Sequence, residues 1–371
     1  MKHVVISGYY GFNNTGDEAV LSAMLSAMRE QASKKDKEIV FTVLSAQPDV
    51  TASRHHVCAV GRTDLLNIIR TLLKCDMFIS GGGGLLQDTT GLRLSVAYYL
   101  GLVLLALLFG KPAVLYAHGI GPVTGPLNRL LVRLIANRAT LITVRDTGSL
   151  EELARMGVSR PPVSLTADPA FLLTATAAED VPFAACLSDK KPVIAVAVRA
   201  WKGQGRYLEE IAIAADTLAE ELNACLVLIP MYYSEDLPVT QELQGMLHND
   251  AVILEEENMT PAELLSIFGR LDLVLAVRLH ALIFAAAAGV PMVGIGYDPK
   301  VNAFMSRLGL LPAGDTSEVT APVIIRQALE RWHQRDSVRQ SLLQRRDGLR
   351  AEAEQAAAIV IETLFESGEK P

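Results

Sequence analysis

Short apolar runs rich in β-branched residues recur along this chain, each closed by Gly, Pro or a polar cluster. Val4–Ser7, Ile39–Leu44, Met77–Ser80, Ala113–Tyr116 and Leu141–Val144 form one series. The rhythm restarts at Val193–Val198, Cys225–Ile229, Ala251–Ile253, Leu273–Ala276 and Pro291–Gly294. Helical periodicity fills the intervals, as in Glu18–Lys34, Asp64–Lys74 and Leu127–Asn137. Strands that are apolar throughout and alternate with helices belong to parallel sheets covered on both faces. The expected fold class is therefore α/β, with two doubly wound Rossmann-like domains. A length of 371 residues suits two domains. The Ala, Asp and Pro content of Thr174–Lys191 marks the linker and gives domains 1–178 and 179–371. The tail from Val319 to Phe365 is helical, and its amphipathic part Glu352–Leu364 is expected to return and brace the first domain.

Half of the residues are hydrophobic and 20% are charged, enough for two substantial cores. A net charge of −7 argues against a nucleic-acid partner, which calls for a basic face. The cysteines Cys58, Cys75, Cys186 and Cys225 show no CxxC spacing and read as reduced thiols. Residues Met1–Gly8 read as a strand entering a loop rather than a signal peptide, so a cytoplasmic location is expected. Leu94–Phe109 is uncharged over 16 residues, short of the ~20 needed to span a bilayer. It reads either as a helix buried on the sheet or as a peripheral contact with the inner face of the cell membrane.

The polar chemistry gathers where strands end, the ligand-binding edge of an open parallel sheet. The first strand runs into Gly8-Tyr9-Tyr10-Gly11-Phe12-Asn13-Asn14-Thr15-Gly16-Asp17-Glu18. Helix capping accounts for two of the polar residues Asn13, Asn14, Thr15, Asp17 and Glu18, and recognition of a polyhydroxylated acceptor accounts for the rest. The strand Met77–Ser80 ends in Gly81-Gly82-Gly83-Gly84-Leu85-Leu86-Gln87-Asp88. Gly82 and Gly83 let backbone approach a ligand, and the run has neither Walker A nor GxGxxG spacing. Asp88 is a candidate general base, or a helix N-cap. His118 also closes a strand at the same edge.

Arg145, Arg199 and Arg278 each follow a strand, where a guanidinium fork suits phosphate or carboxylate; a surface salt bridge is the plainer reading of each. His280 stands two residues beyond Arg278 and reads as a proton donor or phosphate ligand, or as a core histidine. Lys300, after Tyr297-Asp298-Pro299, adds a further cation. No HExxH, DxD or Cys/His cluster suggests a metal.

GYYGFNNTGDEA at Gly8–Ala19, SGGGGLLQD at Ser80–Asp88, HGIGP at His118–Pro122, VRD at Val144–Asp146 and VRLHALIFAAAAGVP at Val277–Pro291 together resemble the polysaccharide pyruvyl transferase family, most closely its CsaB branch associated with S-layer anchoring. The resemblance implies a glycosyltransferase B-like architecture. It also implies transfer of an enolpyruvyl-derived group from phosphoenolpyruvate to a sugar, forming a cyclic pyruvate ketal. In that branch the acceptor is an N-acetylmannosamine-type sugar of a cell-wall polysaccharide or its lipid-linked precursor. It implies donor binding and catalysis by Arg278 and His280, an acidic catalytic position at Asp88, and no cofactor beyond the co-substrate. Arg145, Arg199 and Lys300 join the donor set as anion ligands. The acceptor set is Asn13, Asn14, Thr15, Asp17, Glu18, Gly82, Gly83 and His118. A nucleotide-sugar-dependent glycosyltransferase of the same architecture is the alternative, and a carbohydrate-binding scaffold is a third class.

Overall fold

The computed structural model describes residues 1–88, 95–176, 189–201, 204–254 and 259–366. It divides into two units, Met1–Leu172 with Leu349–Pro371, and Leu173–Gly348. The sequence placed the division at 178/179; most of the linker, residues 177–188, lies outside the described residues, as does Cys186.

The first unit holds a seven-stranded sheet of β1 (Lys2–Ser7), β2 (Ile39–Ser45), β3 (Cys58–Gly61), β4 (Met77–Gly83), β5 (Ala113–His118), β6 (Leu141–Val144) and β7 (Val163–Leu165), in the order β3-β2-β1-β4-β5-β6-β7. Every pairing is parallel, with Val5 opposite Thr42 on one side and Phe78 on the other. Its helices are α1 (Thr15–Ser33), α2 (Pro48–His55), α3 (Leu65–Lys74), α4 (Ser95–Leu108), α5 (Pro126–Ala136) and α6 (Thr147–Arg155). Helices α3 to α6 cover one face, around Ile68, Leu100, Val103, Val132 and Leu153. The other face is covered by α1 and by the end of the last helix, whose Ala357, Val360 and Ile361 reach the same core as Leu21 and Met24.

The second unit repeats the plan with β8 (Val193–Ala197), β9 (Cys225–Leu228), β10 (Ala251–Ile253), β11 (Leu273–Ala276) and β12 (Met292–Gly294), ordered β10-β9-β8-β11-β12 and all parallel. Its helices are α7 (Gln204–Leu222), α8 (Tyr233–Met246), α9 (Pro261–Phe268), α10 (Leu279–Ala288), α11 (Pro299–Arg307) and α12 (Ala321–His333). The last helix, α13 (Arg335–Glu366), begins in the second unit and ends in the first.

In both sheets the strand order turns back at one place, between β1 and β4 and between β8 and β11. Connections leave those two strands in opposite directions, which opens a crevice at their carboxyl ends. The glycine-rich loops after β1 and β4 and the loops bearing Arg199 and Arg278 leave these strands, whereas Arg145 follows β6.

Two expectations need correction or sharpening. Cys225 is disulfide-bonded, so the reading of all four cysteines as reduced thiols fails there. Cys58 is a free exposed thiol, and burial pushes the free Cys75 thiol up to about 11. Helix α4 buries Val96, Leu100 and Val103 on the sheet, as the buried-helix reading of the uncharged stretch expects, and leaves Leu104 and Leu108 exposed. Among the described residues, no helix is long and apolar enough to cross a membrane.

Candidate active site

In the first unit the β1 exit is a braced loop. Asn14 caps α1 by accepting from the Gly16 amide at 3.1 Å. Asn13 is left-handed at φ 57°, a conformation Asn tolerates well. Glu18 is buried; its Oε1 accepts from the Gly11 amide at 2.8 Å and its Oε2 meets His55 Nε2 at 3.1 Å. Glu18 therefore closes the loop from beneath. Phe12, Asn13, Asn14 and Thr15 remain partly exposed.

The glycines of β4 have steric reasons of their own. A Cβ on Gly82 would stand 2.3 Å from Val20 Cγ1, so α1 packs directly on the backbone. Gly83 has φ +85°, and a Cβ there would meet Asp17 Oδ1 at 2.8 Å. The run thus admits α1 and brings Asp17 to the strand exit.

Asp88 is fully engaged. Its carboxylate accepts from the Thr124 amide (2.8 Å), the Thr124 hydroxyl (2.9 Å), the Gly125 amide (2.8 Å) and Asn128 Nδ2 (3.1 Å). Desolvation would raise its pKa, but these bonds win and hold it down to about 2. Such a carboxylate is a poor proton acceptor. Asp88 is not a helix N-cap either: α5 has Gly125 at that position with no side-chain cap bond, and Asp88 instead ties the β4 exit to the segment that leads into α5.

His118 is fully buried, and its Nε2 lies 3.0 Å from the Ser80 carbonyl. That acceptor requires the ring to donate from Nε2. Burial lowers its pKa to about 4, with Arg145 adding to the effect, so the ring is neutral. Arg145 lies in this unit too, buried and paired with buried Asp168. Burial opposes its charge, but Asp168, Asp146 and Asp17 hold it cationic. It is thus an internal ion pair, apart in the chain from the other donor candidates.

In the second unit, Arg278 sits at the N-cap of α10 and grips Asp236 with Nε, at 2.7 Å from Oδ2, and with Nη2 on Oδ1. Asp236 is completely buried and also accepts from the Tyr232 amide at 2.9 Å. The fork is thereby held rigid, with donors to spare, since a guanidinium carries five. Arg199 follows β8, its guanidinium carbon 4.4 Å from the Tyr297 ring centroid and 5.1 Å from that of Trp201. Among the described residues its buried Nε has no hydrogen-bond partner. Lys300 Nζ is 5.6 Å from the same Tyr297 ring and 3.4 Å from Asp298 Oδ2. His280 stands in the first turn of α10, half-buried.

Tyr297 is the hub. Burial pushes its phenol up, yet Lys300, Arg199 and Arg278 together outweigh burial and hold its pKa below the ordinary value. Three of the anion-binding candidates are therefore gathered within one electrostatic neighbourhood. Asp236, Tyr232 and Trp201 escaped the sequence reading; Tyr297 was noticed only as a neighbour of Lys300. Also missed was Arg62, which lies over Phe12 (4.9 Å) and Tyr98 (4.7 Å) behind the β1 loop, where Tyr9 and Phe12 stack at 4.1 Å. Among the described residues, no group of three or more His, Cys, Asp or Glu could hold a metal ion.

The polysaccharide pyruvyl transferase family model matches residues 14–299, most of both units. This chain belongs to the polysaccharide pyruvyl transferase family. The amylovoran biosynthesis protein AmsJ of Erwinia amylovora is 26% identical over 229 residues, covering 56% of this chain and 54% of that protein. The chain thus spans about half the length of that curated relative. Among solved structures, a UDP-GlcNAc 2-epimerase from Neisseria meningitidis bound to UDP-GlcNAc superposes with a TM-score of 0.63 at 13% identity, covering 99% of this chain and 100% of its own. A glycosyltransferase from Rickettsia africae gives 0.63 at 8% identity, with 98% of both chains covered. At such identities the likeness shows the fold alone. This pyruvyl transferase family member has the glycosyltransferase B-type α/β fold.

Proposed function

We propose that this protein is a ketal-forming pyruvyl transferase of the CsaB branch. Phosphoenolpyruvate is the donor, and an N-acetylmannosamine-type sugar of a cell-wall polysaccharide, or its lipid-linked precursor, is the acceptor. The observation that carries the reading is the convergence of Arg199, Arg278 and Lys300 around Tyr297 at the switch point of the second sheet. Phosphoenolpyruvate bears a phosphate and a carboxylate, and this neighbourhood supplies matching cations on a rigid frame.

In the proposed reaction His280 delivers a proton to the methylene carbon, and the positive charge developing at C2 is met by a sugar hydroxyl. The C–O bond to phosphate breaks and inorganic phosphate departs under Arg199, Arg278 and Lys300. A second hydroxyl of the same sugar closes the ring. Of the two hydroxyl protons released, one replaces the methyl proton on His280 and one leaves with phosphate. The acceptor is assigned to the β1 loop, Asn13–Asp17, backed by Gly82 and Gly83. Asp88 and Glu18 hold the surrounding loops, and Asp88 is not assigned the base.

Isothermal titration tests the donor assignment. Phosphoenolpyruvate should bind the wild type, and Arg278→Ala should weaken binding by ~1.5–3 kcal/mol, the size of a lost charge-assisted contact. Undiminished affinity in that variant, or preferential binding of a UDP-sugar, would refute it.

A further inference from the structure

Helices α3, α4 and α5 lie side by side on one face of the first sheet. Each buries one stripe and leaves leucines exposed on its outer side. On α3, Ile68 and Leu72 are buried and Leu66 and Leu73 are exposed. On α4, Val96, Leu100 and Val103 are buried; Leu104 and Leu108 are exposed. On α5, Val132 and Ile135 are buried and Leu130 and Leu134 are exposed. These outward leucines have between 37% (Leu104) and 72% (Leu108) of their surface in solvent. At 3.6 residues per turn the outward positions lie roughly a third to half a turn from the centre of the buried stripe, so the three helices turn leucines to the outer side of the same face. Large apolar side chains exposed on several helices of one face mark an interaction site.

The charge on the same elements identifies the occupant. The three helices carry Arg70, Lys74, Arg129 and Arg133 and contain no Asp or Glu. Arg129 is bound to Glu152, whereas Arg70, Lys74 and Arg133 are exposed. The carboxylates flanking α3 are engaged: Asp64 caps it and lies near Arg70, and Asp76 pairs with Lys2. This is a basic apolar face on a chain whose net charge is −7. Leucines beside exposed cations are the composition of a surface that settles into the headgroup region of an anionic bilayer. A symmetric contact with a second copy would set the same cations of the two faces against one another.

We propose that the α3–α4–α5 face docks on an anionic phospholipid surface, with the leucine ridges entering the headgroup–acyl boundary and Arg70, Lys74 and Arg133 meeting lipid phosphates. The contact expected from the uncharged stretch alone thus widens to three helices. It is independent of the reaction assigned to the loops.

Co-sedimentation with vesicles tests it on the full-length protein. Wild type should partition onto phosphatidylglycerol-containing vesicles, more weakly onto pure phosphatidylcholine, and less in high salt. Leu66→Gln/Leu108→Gln/Leu130→Gln should lower partition about tenfold or more. Arg70→Gln/Lys74→Gln/Arg133→Gln should remove the preference for anionic lipid. Leu311→Gln, at an equally exposed leucine of the second unit, should change nothing. If the triple leucine variant melts early, Leu108→Gln alone carries the comparison. Equal partition of wild type and leucine variants overturns the proposal. So does a wild-type dimer in sedimentation velocity that the leucine variant loses while neither binds vesicles.

Discussion

At the scale of single residues, the site rests on charges held by partners far away in sequence. Asp236 is completely buried against Arg278, so removing its charge leaves an arginine without its counter-ion. Breaking such a pair from one side costs about 3–5 kcal/mol. Asp236→Asn should lower the unfolding midpoint and reduce kcat/KM for phosphoenolpyruvate at least tenfold; a variant with normal melting and kinetics would show the pair to be dispensable. The arginines and Lys300 were legible in the sequence, because a cation just beyond an apolar run lands at a sheet's carboxyl edge. Their partners were not. Asp236 is 42 residues from Arg278, in the first turn of a helix, where an acidic residue is common for reasons of the helix dipole alone. His118 was read as a cleft residue for the same positional reason, and its complete burial shows only in three dimensions. Its pKa is about 4 in the folded protein against 6.5 unfolded. As pH falls through that window the unfolded chain takes up the proton first, so folding stability is lost between pH 6.5 and 4, by roughly 3 kcal/mol at full extent. Denaturant titrations across this range should show that slope, and His118→Asn should flatten it.

At the scale of elements, the glycine run and Asp88 illustrate how a loop can look catalytic for structural reasons. Gly82 is required by the approach of α1, since a Cβ would strike Val20. Gly82→Ala should destabilise the first unit by ~1–3 kcal/mol through overpacking. Adding Val20→Ala should recover part of that loss, so that the double variant is less destabilised than the two singles summed. Simple additivity would mean the glycine serves something other than α1. Asp88 links the β4 exit to the head of α5 through Thr124, Gly125 and Asn128. Asp88→Ala should cost ~1–2 kcal/mol, as loss of hydrogen bonds to a partly exposed carboxylate does, while phosphoenolpyruvate affinity is retained. The stabilisation from its depressed pKa is present above pH 3.8 and fades as pH falls towards about 2. The long internal strands and their helices were readable from periodicity. The edge strands β3 and β7 were not, because Cys58–Gly61 and Val163–Leu165 are short and incompletely buried, and so lack a strong apolar signature.

At the scale of the whole molecule, one plan is used twice: a parallel sheet whose order turns back beside its first strand, with functional loops at that point. In the first unit the loops after β1 and β4 carry amides, hydroxyls and the carboxylates Asp17, Glu18 and Asp88; in the second the loops after β8 and β11 carry Arg199 and Arg278. That division suits a group transfer between a sugar and a doubly anionic donor. The measurement that tests it most directly couples phosphate release to mass analysis of the acceptor, using phosphoenolpyruvate with lipid-linked amino-sugar disaccharides. Stoichiometric release of one phosphate per acceptor that gains a ketal-linked pyruvate, lost at least ~100-fold in His280→Gln with donor binding kept, is the predicted result. Transfer of a sugar from a UDP-sugar to the same acceptors, with phosphoenolpyruvate left intact, would contradict it.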